Sequence, residues 1–407
     1  MKKVFLVILL FLIIAPNSAS ATSMKALKPI TDLPYSNNDQ VSDIALSGKN
    51  IFLTGTTESS NSNWITGSLG GSSDGFLISY AVTGVQNWGL RLGNENSEIA
   101  TSIAIDQDGS IWVVGAGNAV TQTTQPINPS GLLNPDNVPI NPTQVSNTPI
   151  NKVKLWQISN SGVLINTYEY QSENVIYPKK IVVSGSNLII LGNTYLGAST
   201  RGFFLSASKS GVFSNFSTIG SKSTQVNSAI INSDLSITAV GSSSEQLLKA
   251  KPLGKVDAIT LRISDTGIVQ QVARATLRST SRAWNSIDQG LLQGGRVNYS
   301  NKTEAAVTKF SALNRPVWNV RYLSRSTALV TTGKNPWATF VSSGAIRGVS
   351  NWKPKNPTPV LLEFGKKAEL VNAYTLTSPA VVIDSSTDTG TVLVTDSGKS
   401  FGLVVIN

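Results

Sequence analysis

Residues 154–171 read KLWQISNSGVLINTYEYQ. An alternating run with Leu155, Gln157 and Ile158 meets a Ser-Gly turn. A second run with Val163, Ile165, Thr167 and Tyr168 follows at once. Alternation on both sides of a Gly-bearing turn predicts a β-hairpin. Near-copies stand at 77–93 (LISYAVTGVQNWGLRLG), 204–220 (FLSASKSGVFSNFSTIG) and 260–277 (TLRISDTGIVQQVARATL). One hairpin written four times along the chain predicts a repeat architecture.

Taking this hairpin as strands C and D, strands A and B are found upstream each time. Units fall at 41–98, 99–174, 175–224 and 225–280, then more weakly at 281–327 and 328–379. The last stretch, 380–407, supplies only three strands, PAVVIDSS, GTVLVTDSG and SFGLVVIN. The segment MKALKPITDLP, 24–34, precedes the first unit and belongs to no other. Paired with 402–407 it completes a seventh blade. The predicted fold is therefore all-β, a seven-bladed β-propeller of four-stranded antiparallel blades closed by the N-terminal strand. Closure also protects a sheet edge, whereas an open solenoid would need capping repeats. Residues 22–407 form one domain in this reading, although length alone suggests two or three.

Gly84, Gly162, Gly211 and Gly267 occupy the C–D turns, where positive φ is needed. Gly55, Gly115, Gly192 and Gly241 end the B strands. Trp88 and Trp318 fall in D strands and read as packing residues.

Residues 74–118, DGFLISYAVTGVQNWGLRLGNENSEIATSIAIDQDGSIWVVGAGN, resemble the repeat of bacterial secreted β-propellers of the SBBP type. Asp108 and Gly109 match its pattern, and Ser110 stands where the family often has Asn. The resemblance covers units one and two best and fades over five to seven. It implies an exported propeller and no particular reaction.

The chain opens MKKVFLVILLFLIIAPNSASATS. Lys2 and Lys3, an apolar run over 4–15, Pro16 and a small-x-small site at 19–21 have the layout of a signal peptide. Cleavage is expected after Ala21. The run is shorter than the roughly 20 apolar residues of a membrane span, so retention as an anchor is the weaker reading. The expected location is secreted or extracytoplasmic, in the periplasm or at the cell surface. No sorting motif precedes Asn407, which leaves any surface retention non-covalent.

The chain has no Cys and no His. That excludes disulfides, thiolate metal sites, His-based triads and most zinc sites. Any catalysis would rest on carboxylates, Lys, Tyr, Ser or Arg. The net charge is +10, and removal of Lys2 and Lys3 from an acid-free leader leaves +8. The basic residues are scattered, which suits solubility or attraction to an anionic polymer. No catalytic set, cofactor, metal or nucleic-acid partner is indicated, and the oligomeric state is not encoded in any recognisable motif.

A–B and C–D turns share one face of a propeller and are short here. B–C connections share the other face with the D–A connections, and they are long at 56–73, 118–151, 242–255, 298–303 and 345–358. Long loops on a rigid scaffold are where binding usually resides. The candidate ligand residues on this elaborated face are Trp64, Lys249, Lys251, Lys255, Arg347, Trp352, Lys353 and Lys355. Basic groups with exposed indoles suit an anionic envelope polymer, a glycan or a protein. The plainer reading is that the Trp residues pin their own loops and the Lys residues are solvated. The insertion at 118–151 carries PINP twice. It reads as a semi-rigid arm for a partner or as a tolerated surface loop.

Two motifs are read as turns. DQDGS, 106–110, begins like a calcium loop but lacks later acidic ligands. VTDSGKSF, 394–401, resembles a sialidase Asp-box with Val394 breaking its first position, and lies in a B–C turn. Asp43, Asp106, Asp288 and Asp384 sit in or beside the channel-lining A strands, where paired carboxylates could do acid/base work. The functional expectation is a binding scaffold. The alternatives are a carboxylate-dependent glycan hydrolase or lyase at the channel mouth and a structural envelope protein.

Overall fold

The computed structural model describes residues 22–35, 38–60, 62–94, 96–118 and 149–406. The leader and nearly all of the Pro-rich insertion lie outside them. All regular structure among the described residues is strand, in seven antiparallel sheets of A-B-C-D order. The A strands are Gln40–Ser47, Glu98–Ile105, Val175–Ser184, Thr224–Ile231, Ser281–Ile287, Leu329–Thr332 and Ala380–Ser386. Successive A strands pack around a central channel, making a seven-bladed propeller.

Strand alternation explains the packing. In the B strand Asn50–Thr57, Ile51 and Leu53 face blade seven, while Phe52 faces blade two. The same holds in Ile111–Asn118, where Ile111 and Val113 face one neighbour and Trp112 and Val114 the other. Each sheet is therefore apolar on both faces, and a separate apolar core fills each of the seven junctions between blades. A lone blade would expose both faces, which is why the unit must recur.

The C–D turn glycine does more than adopt a left-handed conformation. Gly162 has φ of 82°, and a Cβ there would lie 2.5 Å from the Trp88 ring of the preceding blade. Gly211 stands in the same relation to Tyr168. The tips of blades two, three and four, the last through Gly267 on Phe204, are thus seated on an aromatic of the blade before, while Gly84 of blade one meets Ile30. Trp88 also donates its indole N–H to the Asn160 carbonyl at 3.2 Å.

Closure uses the N-terminal segment, but the segment divides. Thr31–Pro34 pairs antiparallel with Ser400–Ile406, with Thr31 opposite Leu403 and Pro34 opposite Ser400. Met24–Ala26 instead runs parallel to Leu370–Thr375, adding a fifth strand to blade six. The segment is long enough to span two blades, so it satisfies two sheet edges.

One loop expectation is corrected. The connection at 298–303 is a two-residue turn, because Leu292–Tyr299 and Lys302–Phe310 pair up to Tyr299 and Lys302. The B–C connections of blades one, four and six, at 58–73, 244–256 and 343–357, are long as expected.

Candidate functional site

Two of the long loops are braced in one way. Asp74 and Asp257 open the C strands Asp74–Ala81 and Asp257–Ile263. Asp74 accepts from the Gly70 N–H at 2.9 Å and pairs with Arg91 at 3.5 Å. Asp257 accepts from Leu253 and Gly254 and pairs with Arg274 at 3.6 Å. Each Arg, one strand across, reaches back to loop carbonyls: Arg91 to Ser59 and Gly67, Arg274 to Ser243, Glu245 and Ala250. Both pairs are almost fully buried, so the Asp of each DGF- or DAI-type strand start is a loop anchor.

Where the A strands of blades four and five begin, the elaborated face carries a cleft of about 410 Å³. Lys222, Arg282 and Arg296 line it together with Asn227, Asn285 and Asn298, and no carboxylate does among its described lining residues. Lys222 and Arg296 are exposed. The Lys222 backbone is held by Glu245, which accepts N–H bonds from Ser221, Lys222 and Ser223 and hydroxyl bonds from Ser221 and Thr224. Burial would raise the Glu245 carboxyl, but these donors outweigh it and bring it down to about 2. Arg282 Cζ lies over the Trp284 ring, 4.4 Å from its centroid. Burial, with a smaller contribution from the Arg321 charge, brings its guanidinium down to about 10.

The residues expected from the sequence lie elsewhere. Trp64 is a correction: it is only 7 % exposed, stacks edge-on against Phe76 at 5.1 Å and donates to the Pro34 carbonyl at 3.1 Å. Its indole belongs to the core between blades seven and one and offers no stacking face. Trp352 is half-buried against the core between blades five and six. Lys249, Lys251, Lys255, Arg347, Lys353 and Lys355 are exposed, on loops of blades four and six with blade five between them. None of the eight lines the cleft. Lys222, Arg282 and Arg296 escaped sequence reasoning because they sit in a short connection and in strands, where no local pattern marks them.

The channel has a different character toward the A–B turns. A cavity of about 330 Å³ there is walled by aliphatic residues and carries Asp43, Lys180, Asp288 and Asp384. Asp43 follows a β-bulge in its A strand, and Ser102, Lys180 and Ser286 follow equivalent bulges. This position latches neighbouring blades. Asp43 Oδ2 accepts from Ile103 N–H at 3.1 Å and the Ser102 hydroxyl at 2.5 Å, and pairs with Lys180 at 2.7 Å. Ser102 Oγ accepts from Ile181 N–H, and Ser286 Oγ from Val330 N–H, both at 3.2 Å. Blade seven has Val382 at this position, which cannot accept, and Asp43 Oδ1 serves its own Ile44 N–H at 3.0 Å instead.

Asp384 has no such structural duty beyond accepting from Ser385 N–H at 2.8 Å. Burial pushes its carboxyl up to about 6. Ser385 N–H and Lys180 oppose the shift, and the charges of Asp43 and Asp288 add to it. Asp106, grouped with these from the sequence, is turned away and pairs with Lys209 at 2.5 Å. Its DQDGS stretch is an A–B turn, in which Asp108 Oδ1 accepts from Ser110 N–H at 2.8 Å.

No protein-family model matches the chain, and no curated protein is detectably similar to it. Solved structures resemble it over most of its length. A polysaccharide lyase, Uly1, covers 96% of this chain and 98% of its own at 10% identity, with a TM-score of 0.46. A protein from Lactobacillus plantarum covers 89% and 93% at 11% identity and a TM-score of 0.49. A neuraminidase-like protein of subtype N10, from an influenza A strain of the little yellow-shouldered bat, covers 76% and 94% at 8% identity and a TM-score of 0.40. At such identities and TM-scores the likeness carries nothing about what this chain does.

Proposed function

We propose that this protein is an exported binding propeller that takes an acidic glycan in the cleft over blades three to five. The observation carrying this reading is the lining itself: Lys222, Arg282 and Arg296 among amides, with no described carboxylate. Cations attract carboxylate or sulfate groups, and amides match sugar hydroxyls. The leader-like N-terminus and the likeness of 74–118 to secreted propeller repeats support export. The test is affinity electrophoresis in polygalacturonate, with dextran as the neutral control. Retardation by polygalacturonate alone is expected, fading with salt and reduced at least fivefold in K222A/R296A. Equal retardation of that variant removes the cleft from the reading.

A second reading rests on Asp384. A carboxyl pushed up to about 6 beside a carboxylate paired with Lys180 is a combination suited to acid/base work. Chain cleavage of an acidic polysaccharide, abolished in Asp384→Asn, would support it. Absence of cleavage across a substrate panel discards it.

A further inference from the structure

A groove of about 400 Å³ runs between blades four and five, from Arg282 down to Asn314 and Pro316 at a C–D turn. The apolar core at this junction is made of few residues, with Ile230, Val240 and Ala258 facing Trp284 and Phe310. Outward of it the walls are apolar in their lower part, through Ala273, Val297, Phe310 and Pro316. Arg274, Arg282 and Arg321 crown them, and no carboxylate is among the described lining residues.

The three guanidiniums are not equivalent. Arg274 is spent on Asp257 and three carbonyls, and Arg321 pairs with Glu304 at 3.4 Å. Arg282 has no acidic partner among the described residues. Its buried Nε finds no hydrogen-bond partner there, and one terminal nitrogen makes only a long 3.5 Å contact to Thr308 Oγ1. Three more buried polar atoms on this side lack partners among the described residues. They are Thr276 Oγ1, in the groove wall, Gln293 Nε2, on the residue directly opposite Thr308, and Trp284 Nε1, on the ring under Arg282. Buried donors left unpaired are rare and costly. All four of these groups can donate, and Arg282 and Thr276 line the groove, which calls for an acceptor there.

We propose that this groove is a second binding site, for an organic carboxylate with an apolar body, its carboxylate held on Arg282 and its body along Val297 and Phe310. The free edge of a guanidinium matches a planar carboxylate by two parallel N–H bonds. Contact with the Trp284 ring beneath it restrains the guanidinium, so less freedom is lost on binding. A bare inorganic anion would leave the apolar wall unused, and a neutral alcohol would leave the cation unpaired.

The test is calorimetric titration of the full mature chain with octanoate, 1-octanol and sulfate. Saturable one-to-one binding of octanoate is expected, at least tenfold tighter than octanol or sulfate. Arg282→Gln should weaken it tenfold or more. Thr276→Val, at the groove edge, should weaken it severalfold with the fold intact by circular dichroism. The groove shares Arg282 with the cleft, so K222A/R296A tells the two apart: it should weaken polygalacturonate binding at least fivefold and keep octanoate, and an equal loss of octanoate would assign that binding to the cleft and overturn the second site. The proposal is overturned by absent octanoate binding, by binding unchanged in both Arg282→Gln and Thr276→Val, or by octanol or sulfate binding as tightly.

Discussion

The Tyr35 hydroxyl donates to Asp396 Oδ1 across 2.6 Å, joining positions 361 residues apart in the chain. Tyr35 follows the closing strand Thr31–Pro34 and stacks on Phe401 at 4.3 Å. Asp396 also accepts from Gly398 N–H, so the VTDSGKSF stretch is a turn that receives the closing strand. Tyr35→Phe should lower stability by about 1.5–3 kcal/mol, the usual worth of a hydrogen bond to a charged acceptor. Removal of 24–34 should lower it far more. Thermal melts of both variants check this, and unchanged midpoints would deny the closure role.

The same phenol gives a pH dependence. Burial, together with the Asp396 hydrogen bond and charge, pushes Tyr35 up to about 12. The folded state holds this proton more tightly than the unfolded state. Its stabilising contribution is full below pH 10 and is lost as pH rises from there through 12. Denaturant midpoints should fall less steeply over that window in Tyr35→Phe than in the parent.

Asp384 has the same sign in a different range. Its carboxyl is raised from 3.8 to about 6, so its contribution is present below pH 3.8 and lost as pH rises through 6. At pH 7.5 the buried charge opposes folding. Asp384→Asn should therefore stabilise at pH 7.5, by about 1–3 kcal/mol, with no gain at pH 3.5. Urea melts at the two values decide it.

Gly162 carries two demands, a φ of 82° and the nearness of Trp88. Gly162→Ala should cost about 2–4 kcal/mol, from left-handed backbone and overpacking together. In the Trp88→Leu background the overpacking part should vanish and the backbone part of about 1–2 kcal/mol remain. A double-mutant cycle measures the difference.

Asp257→Ala would leave Arg274 buried and unpaired. Loss of one partner from a buried pair costs about 3–5 kcal/mol. The loop at 244–256 should also become accessible to trypsin, with the first cuts after Lys249 or Lys255, since Pro252 protects the bond after Lys251. Uniform protection of those bonds would show that the anchor is dispensable.

The strands, the blade count, the order within each blade and the closure at the N-terminus were all legible along the chain. These are local properties: period-two alternation, turn chemistry and a missing strand in the final unit can all be read along the chain. The sequence also identified which loops are long, apart from blade five, where strand and loop residues are equally polar. Which residues meet was legible only once the blades were packed together. Trp64 looked like an exposed platform in a Ser/Asn/Gly loop, yet the loop folds back and buries it between blades seven and one. Asp43 and Lys180 are ion-paired across two blade boundaries, and Lys222, Arg282 and Arg296 share a cleft although one connection and two strands supply them. In a propeller each blade is written locally, but a site forms where blades adjoin. The angle and spacing between blades come from packing of whole sheets, and no short stretch of sequence carries that information.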